Sequence, residues 1–292
     1  MARTRNPAAQ TAFGPMMLAA VEQQEPAGKR LVHDDLAAQF LPLTGRWMVR
    51  AMGWSPPRRL LASAMDRSGP GLWASLICRK RYIDDKLDES LADIDAVVIL
   101  GAGLDTRGYR LARRSDIPVF EIDLPENIKR KARAVRRVLG GPPRSVHLVP
   151  TDFERDDLAA VLSAHGYRSE RRTFFIWEGV TQYLTADAVR STFDFLKGAA
   201  PSSRLVFTYV RREFIDGEKL YGAESMYRRF REKRQVWLFG MRTEEVADFL
   251  AEYGWRLIEQ AGPDYFVEHY IKPTGRHLGA SQLEWSAYAE KR

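Results

Sequence analysis

Five short apolar runs between Ala96 and Val210, each separated from the next by a helix-compatible stretch, constrain this chain more than any other feature. They are Ala96–Leu100, Val119–Ile122, Val146–Val149, Phe174–Trp177 and Leu205–Val210. Each is rich in β-branched or aromatic residues and nearly continuous in apolar character, as a strand buried on both faces of a parallel sheet must be. The stretches between them, Leu104–Arg114, Pro125–Leu139, Asp156–Ala164 and Thr185–Lys197, read as helices. Pro125 suits a first helical position and Thr185 an N-cap. This alternation predicts an α/β fold with a doubly wound sheet and helices on both faces. After Val210 a charged and aromatic stretch, Arg211–Gly240, precedes a helix over Thr243–Tyr253, and Trp255–Gln260 and Glu284–Glu290 read as two last strands.

The block before Ile94 has helical character at Thr11–Gln23, Asp35–Leu41 and Leu60–Ala64, interrupted by Gly45, Gly53, Pro56-Pro57 and Gly69-Pro70-Gly71. It reads as a helical cap over residues 1–93 that contributes to the site without forming an independent domain. Residues 94–292 then form the core, with an insertion at about 211–241. At 292 residues, 45% hydrophobic and 28% charged, the chain is suited to a large globular core, and disorder, collagen and coiled coil are excluded for the whole. The single cysteine, Cys78, excludes a disulfide framework and a cysteine zinc cluster. The five histidines form no HExxH pair, so no metal site is expected. No apolar run is long enough for a bilayer and no apolar h-region follows the N-terminal arginines, so a cytoplasmic protein without a membrane partner is expected.

In a doubly wound sheet, ligands sit beyond the carboxyl ends of the strands, so the residues following each run carry the function. Run one is followed by Gly101-Ala102-Gly103-Leu104-Asp105-Thr106-Arg107, whose two glycines allow a tight turn and close ligand approach. Run two ends at Glu121 and Asp123, about where a nucleotide-binding fold offers a carboxylate to ribose hydroxyls. Run three leads into Thr151-Asp152-Phe153, an acid beside an aromatic ring, suited to an adenine amine and face. Run four leads into Glu178-Gly179.

Acids at three successive strand ends favour an adenosine ligand. A nicotinamide dinucleotide usually wants G-x-G-x-x-G, whereas Thr106 stands at the third glycine position and Asp105 beside it would repel a pyrophosphate. A ligand without phosphate, carrying an ammonium and a sulfonium, suits these carboxylates: S-adenosylmethionine.

At these stretches the chain resembles the S-adenosylmethionine-dependent methyltransferases of the leucine carboxyl methyltransferase family, in its bacterial, polyketide-methyltransferase-like branch. The resemblance rests on Arg79-Lys80-Arg81-Tyr82-Ile83-Asp84-Asp85, on Gly101–Arg107 with Tyr109-Arg110-Leu111, on Phe120–Pro125, on Thr151-Asp152-Phe153 and on Glu178–Leu184. It implies a class I, Rossmann-like methyltransferase fold with seven mostly parallel strands, a helical cap and a lid after strand five. It also implies roles. Arg79 would pair with the methionine carboxylate, with Arg81 as an alternative. Gly101 and Gly103 would line the methionine moiety, Asp123 would hold the ribose, and Glu121 is a second candidate because sequence does not say which acid points inward. Asp152 and Phe153 would contact adenine, Phe153 replacing a more usual leucine. Glu178 would meet the ammonium, and Tyr183 would face the acceptor as the catalytic residue.

No histidine falls in these stretches. An acceptor carboxylate, with a pKa of about 4, is already ionised and needs no base, whereas a phenol with a pKa of about 10 would profit from one. Transfer to a carboxylate or hydroxyl of an anionic, partly apolar small molecule is therefore expected, with His33 and His269 as bases that the cap or insertion might yet bring in. Protein C-terminal methylation, tRNA modification and non-catalytic ligand sensing are the other readings. The aromatic residues of the insertion are read either as an acceptor pocket or as packing. Its basic residues, Arg228, Arg229, Arg231, Lys233 and Arg234, either steer an anion or are solvated. The cations between Lys129 and Arg137, with a net charge of +7, suit nucleic acid or a solvated helix, and nucleic acid is not the expected partner.

Overall fold

The five apolar runs form parallel strands: β1 (Ala96–Leu100), β2 (Val119–Asp123), β3 (Val146–Pro150), β4 (Thr173–Trp177) and β5 (Arg204–Val210). A computed structural model describes residues 13–53 and 55–292. The last strands, β6 (Trp255–Ala261) and β7 (Glu284–Lys291), pair antiparallel, completing a seven-stranded sheet in the order β3-β2-β1-β4-β5-β7-β6. The expected mostly parallel, doubly wound sheet is therefore present. Strand order reverses between β1 and β4, and this switch opens a crevice at their carboxyl ends.

Helices precede and connect the strands. Among the described residues five come first: α1 (Phe13–Glu22), α2 (Ala37–Phe40), α3 (Leu43–Ala51), α4 (Ser55–Ser68) and α5 (Leu72–Ser90). Within the sheet's connections lie α6 (Arg107–Leu111), α7 (Pro125–Leu139), α8 (Leu158–Ala164) and α9 (Ala186–Lys197). The insertion contributes α10 (Arg212–Ile215) and α11 (Glu224–Tyr227), and α12 (Val246–Glu252) and α13 (Pro263–Phe266) flank β6.

Strand alternation divides the interior into two cores. Val97 and Ile99 of β1, with Phe174 and Ile176 of β4, face α1, α5, α6 and α7. Ala96, Val98 and Leu100, with Phe175 and Trp177, face α8, α9 and α12. The N-terminal helices thus cover one face of the sheet as well as reaching its carboxyl edge.

Local signals misled the reading of this N-terminal block. Thr11 lies outside the described residues, and the expected first helix is seen from Phe13. Gly45 does not interrupt a helix but lies within α3, where a Cβ would come within 3.0 Å of the Phe13 ring, so the glycine permits close packing of α1. Pro56 and Pro57 stand in the first turn of α4, where a missing N–H costs no helical hydrogen bond. α5, the longest helix, was not anticipated. It is buried on most of its circumference, so it lacks the polar face that marks a surface helix.

The insertion opens and closes at one bridge, Arg211 beside Met241, tied by Arg212 N–H to the Met241 carbonyl (3.0 Å) and Met241 N–H to the Val210 carbonyl (3.0 Å). Its interior is a third cluster in which Phe214 and Trp237 pack against Leu72 and Leu283.

Glu121 requires a correction. Its side chain is fully buried beneath the sheet's edge, with Oε2 accepting from Lys131 Nζ (2.8 Å) and from the Tyr109 hydroxyl (2.7 Å). It ties β2 to α6 and α7 and does not reach the crevice. Burial pushes its carboxyl above the usual range, opposed chiefly by the Lys131 charge. Lys131, read as one of the basic residues of an exposed helix, is itself fully buried in this pair. Arg137, another of them, donates to the Gln39, Phe40 and Leu41 carbonyls and holds α2.

Removing one partner of a buried ion pair leaves an uncompensated charge. Lys131→Met is therefore expected to lower unfolding free energy by about 3–5 kcal/mol in urea titrations at neutral pH, and Glu121→Gln in the same background to restore most of it. A loss below about 1 kcal/mol, the scale of an exposed pair, would show that the pair does not organise this edge.

Candidate active site

Beyond the carboxyl ends of β1, β2 and β4 lies a cavity of about 780 Å³, within the usual range of small-molecule sites. Its floor begins at Gly101. There the backbone adopts φ +73°, and a Cβ would stand 2.3 Å from Val180 Cγ2, so only glycine can make the turn. Gly101 and Ala102 N–H both donate to the Ile122 carbonyl (2.8 Å each), locking the turn to β2. Gly103 N–H donates to Asp123 Oδ2 (2.6 Å), and Asp123 Oδ1 accepts from Leu124 N–H and Asn127 Nδ2 (2.7 Å each). Burial raises the Asp123 carboxyl pKa, opposed by the Asn127, Gly103 and Leu124 donors. This carboxylate is oriented from three sides at the edge of the cavity.

A buried ion network forms the opposite wall. Arg79 on α5 donates Nε to Glu178 Oε1 (2.9 Å) and Nη1 to Glu284 Oε2 (2.6 Å). Arg107, at the start of α6, donates Nη1 to Glu178 Oε2 (2.6 Å) and to Asp105, Nε to Asp84 (2.5 Å) and Nη2 to the Lys80 carbonyl (3.1 Å). Lys80 Nζ stands 3.8 Å from Glu178. Behind the wall, Thr208 donates its hydroxyl to Glu284 (2.7 Å) and accepts from Gly179 N–H (2.8 Å). Burial alone would raise the Glu178 carboxyl, but Lys80, Arg107 and Arg79 outweigh it and hold its pKa down to about 2. Asp105 is likewise held well below the carboxylate range, its burial overcome by Arg107, Lys80 and Lys131.

These contacts change the sequence reading. Asp105 and Glu178 are not bare anions at a rim; each is matched by a guanidinium. Arg79 offers no open fork, since two of its nitrogens already hold carboxylates, which leaves Nη2 beside Gly179. Arg81 points elsewhere and pairs with Asp85 (2.6 Å). Lys80, Arg107, Asn127 and Glu284 were given no role from sequence. Arg107 could have been found from its place in the Gly101–Arg107 stretch, and Glu284 from its position opening the last strand.

Gly101, Gly103, Asp123, Asp152, Phe153, Glu178, Arg79 and Tyr183 all line the one cavity; Glu121 does not. Tyr183, on a 3₁₀ turn over Thr181–Tyr183, packs edge-on against Trp237 at 6.3 Å. Of the insertion, Met226, Phe230 and Trp237 line the cavity, whereas Phe214 packs behind and Phe239 and Met241 join the core under α9. Some of its aromatics therefore line the cavity and others are packing. None of the five histidines lines the cavity. His33 and His269 are exposed, the latter against Tyr265. Among the described residues there is no cluster of three potential metal ligands, and no helix is long and apolar enough to cross a membrane.

Comparison with known proteins gives a consistent picture. The family model of the leucine carboxyl methyltransferases matches residues 12–197. A Mycobacterium tuberculosis protein named "Putative S-adenosyl-L-methionine-dependent methyltransferase" is 32% identical over 244 residues, covering 77% of this chain and 70% of the relative. A Mycobacteroides abscessus protein of the same name is 29% identical over 257 residues, covering 82% and 81%. Among solved structures, a DUF574 family protein from Streptomyces avermitilis superposes with a TM-score of 0.58 at 15% identity, covering 82% of this chain and 92% of that one. A methyltransferase-titled structure from Thermobifida fusca gives 0.56 at 18% identity, covering 81% and 89%. At these identities the two structures speak for the fold.

The depressed Glu178 pKa fixes a pH dependence. A carboxyl at about 2 in the folded protein and near the ordinary 4.5 when unfolded adds stability above about pH 4.5, which is lost as pH falls toward 2. Glu178→Gln is expected to be less stable than the parent at pH 7, with the gap closing between about pH 4.5 and 2 in urea titrations. A gap unchanged down to pH 2 would mean that the network does not hold this carboxylate ionised.

Proposed function

The chain belongs to the leucine carboxyl methyltransferase family and is an S-adenosylmethionine-dependent methyltransferase, and we propose that it esterifies a carboxylate of a partly apolar small-molecule acid. The observation that carries this reading is the make-up of the cavity around Tyr183. No histidine lines it, and Asp105, Glu178 and Glu284 are committed to Arg107, Arg79 and Thr208. None of these groups is free to serve as a general base for a phenol or alcohol, whereas an acceptor carboxylate is ionised at neutral pH without help.

The residues fit the cofactor. Six carboxylates line the cavity, namely Asp105, Asp123, Asp152, Glu154, Glu178 and Glu284, against the cations Arg79, Lys80, Arg229 and Arg234. With Asp105, Glu178 and Glu284 matched by Arg79 and Arg107, the negative charge left for a ligand cationic at sulfur and at its amine is that of Asp123 and Glu154, which carry no ion pair among the described residues, and of Asp152. Gly101 and Gly103 leave room for its methionine end, and Arg79 Nη2 with Lys80 is placed to meet the carboxylate. Asp123 is held ready for the ribose hydroxyls, and Asp152 and Phe153 for adenine. When bound, S-adenosylmethionine supplies an electrophilic methyl group whose transfer leaves a neutral thioether.

The chain's own contribution is alignment and exclusion of water. Tyr183, which lines the cavity against Trp237, would meet the acceptor there and limit its angle of approach. Phe230 and Trp237 cover the same side, so that a bound acid is screened from solvent. Arg229 and Arg234 line the cavity, are exposed, and carry no ion pair among the described residues, so their positive potential draws an anionic acceptor inward.

Asp123→Ala is expected to weaken S-adenosylmethionine binding by about tenfold or more in calorimetry, the scale of losing hydrogen bonds to a charged group. Tyr183→Ala should leave that affinity in place and lower turnover; equal loss of both would move Tyr183 out of the acceptor side. Incubation with methyl-labelled cofactor and a panel of acids, phenols, peptides and tRNA should label small apolar acids in a form released by mild base. A base-stable product, or label on peptide or tRNA instead, would overturn carboxylate esterification of a small molecule.

A further inference from the structure

Six of the seven methionines among the described residues line this cavity: Met16 and Met17 on α1, Met48 on α3, Met52 immediately after it, Met65 on α4 and Met226 on α11. Five of them come from the N-terminal helices and the turn after α3, and Met226 comes from the insertion far later in the chain, so the fold brings the two groups together. None lies among the strand-end residues Gly101, Gly103, Asp123, Asp152 and Glu178. They come from the N-terminal helices and the insertion, which also contribute Phe13, Phe230 and Trp237 to the same cavity lining. Methionine is unbranched, with three rotatable bonds and a polarizable sulfur, so a wall made of it repacks around guests of different shape. Leucine or isoleucine would fill the same space with fewer conformations and a more fixed outline. Met48 is more than half exposed, placing part of this wall at the cavity's opening.

We propose that this part of the cavity is an adaptable acceptor chamber, and that the enzyme takes a range of apolar acids, alkyl, branched or arylalkyl, in place of one acid of fixed shape. This proposal rests on carboxylate methylation as the reaction and adds the class of acceptor and the residues that set its breadth. A rigid apolar pocket separates ligands differing by one methylene by about 10- to 200-fold. A chamber that repacks should do much less.

The test measures binding apart from turnover. An anilinonaphthalene sulfonate dye, itself an apolar anion, is bound to the protein with S-adenosylhomocysteine present and displaced by straight-chain, branched and arylalkyl acids differing by one to three methylenes. The proposal expects the dye to bind and acid affinities in the parent protein to lie within about tenfold of one another, below the discrimination of a rigid pocket. In Met48→Ile/Met65→Ile/Met226→Ile, affinities should spread by well over tenfold, while calorimetric affinity for S-adenosylhomocysteine is retained. Met48→Leu/Met65→Leu/Met226→Leu should fall between the two. Absence of dye binding, selection of a single acid by the parent, or an unchanged spread in the isoleucine variant would each overturn the chamber. The parent's own spread decides the matter should the isoleucine variant not fold. If the acids bind with the expected narrow spread but none gains a base-labile methyl group, the chamber stands and carboxylate methylation fails.

Discussion

The structure depends on a buried exchange of charge between α5 and the carboxyl ends of the strands. Arg79 and Arg107 each hold one oxygen of Glu178; Arg79 also takes Glu284, and Arg107 also takes Asp105 and Asp84. Those carboxylates come from four separate parts of the chain: α5 itself, the turn after β1, the end of β4 and the start of β7. In a dry interior such a network is a poor source of net stability, because desolvating the ions offsets most of their attraction, yet losing one partner is costly. Its consequence is positional. It clamps α5 against the switch point between β1 and β4 and leaves a wall whose charge is set before any ligand arrives.

The helices before β1 therefore serve two purposes through one set of contacts. Their inner residues complete the core on one face of the sheet, with Ile77, Tyr82 and Ile83 of α5 fully buried among Val97, Ile99 and Phe174. Their far ends, with α11 and Trp237, form the outer walls of the cavity. The strand-end part and the helix-borne part of the cavity lining thus differ in construction. The first is made of tight turns and paired charges, which resist deformation, and the second of methionine and aromatic side chains, which do not. A shared electrophile with a varied acceptor is the pattern of use that such a contrast suits.

Much of the fold was legible because strands and their turns write themselves into short windows. The run Ala96–Leu100 reads as a doubly buried strand and the glycines following it as a turn, and the structure adds that Gly101 has no room for a Cβ. The same logic failed for α5, whose burial on most sides removes the periodicity by which helices are recognised. It failed also at Pro56 and Gly45, where residues that usually interrupt helices occupy positions that tolerate them. Glu121 and Asp123 show the limit within a single strand. Both were candidates for the ribose, and only the position of Lys131 and Tyr109 shows that Glu121 is spent on the core.

Sequence by itself determined the order of the strands, the doubly wound class, the glycine turn and the acids that follow β2, β3 and β4, because these follow from backbone sterics and from alternation over a few residues. The tertiary structure alone decided which side chains meet: that the Arg79 fork is filled by Glu178 and Glu284, that Asp105 is matched by Arg107, and that six methionines of the N-terminal block and the insertion line one cavity. The physical reason is that pairing and burial are set by distance in space, which long-range packing creates and no local pattern encodes.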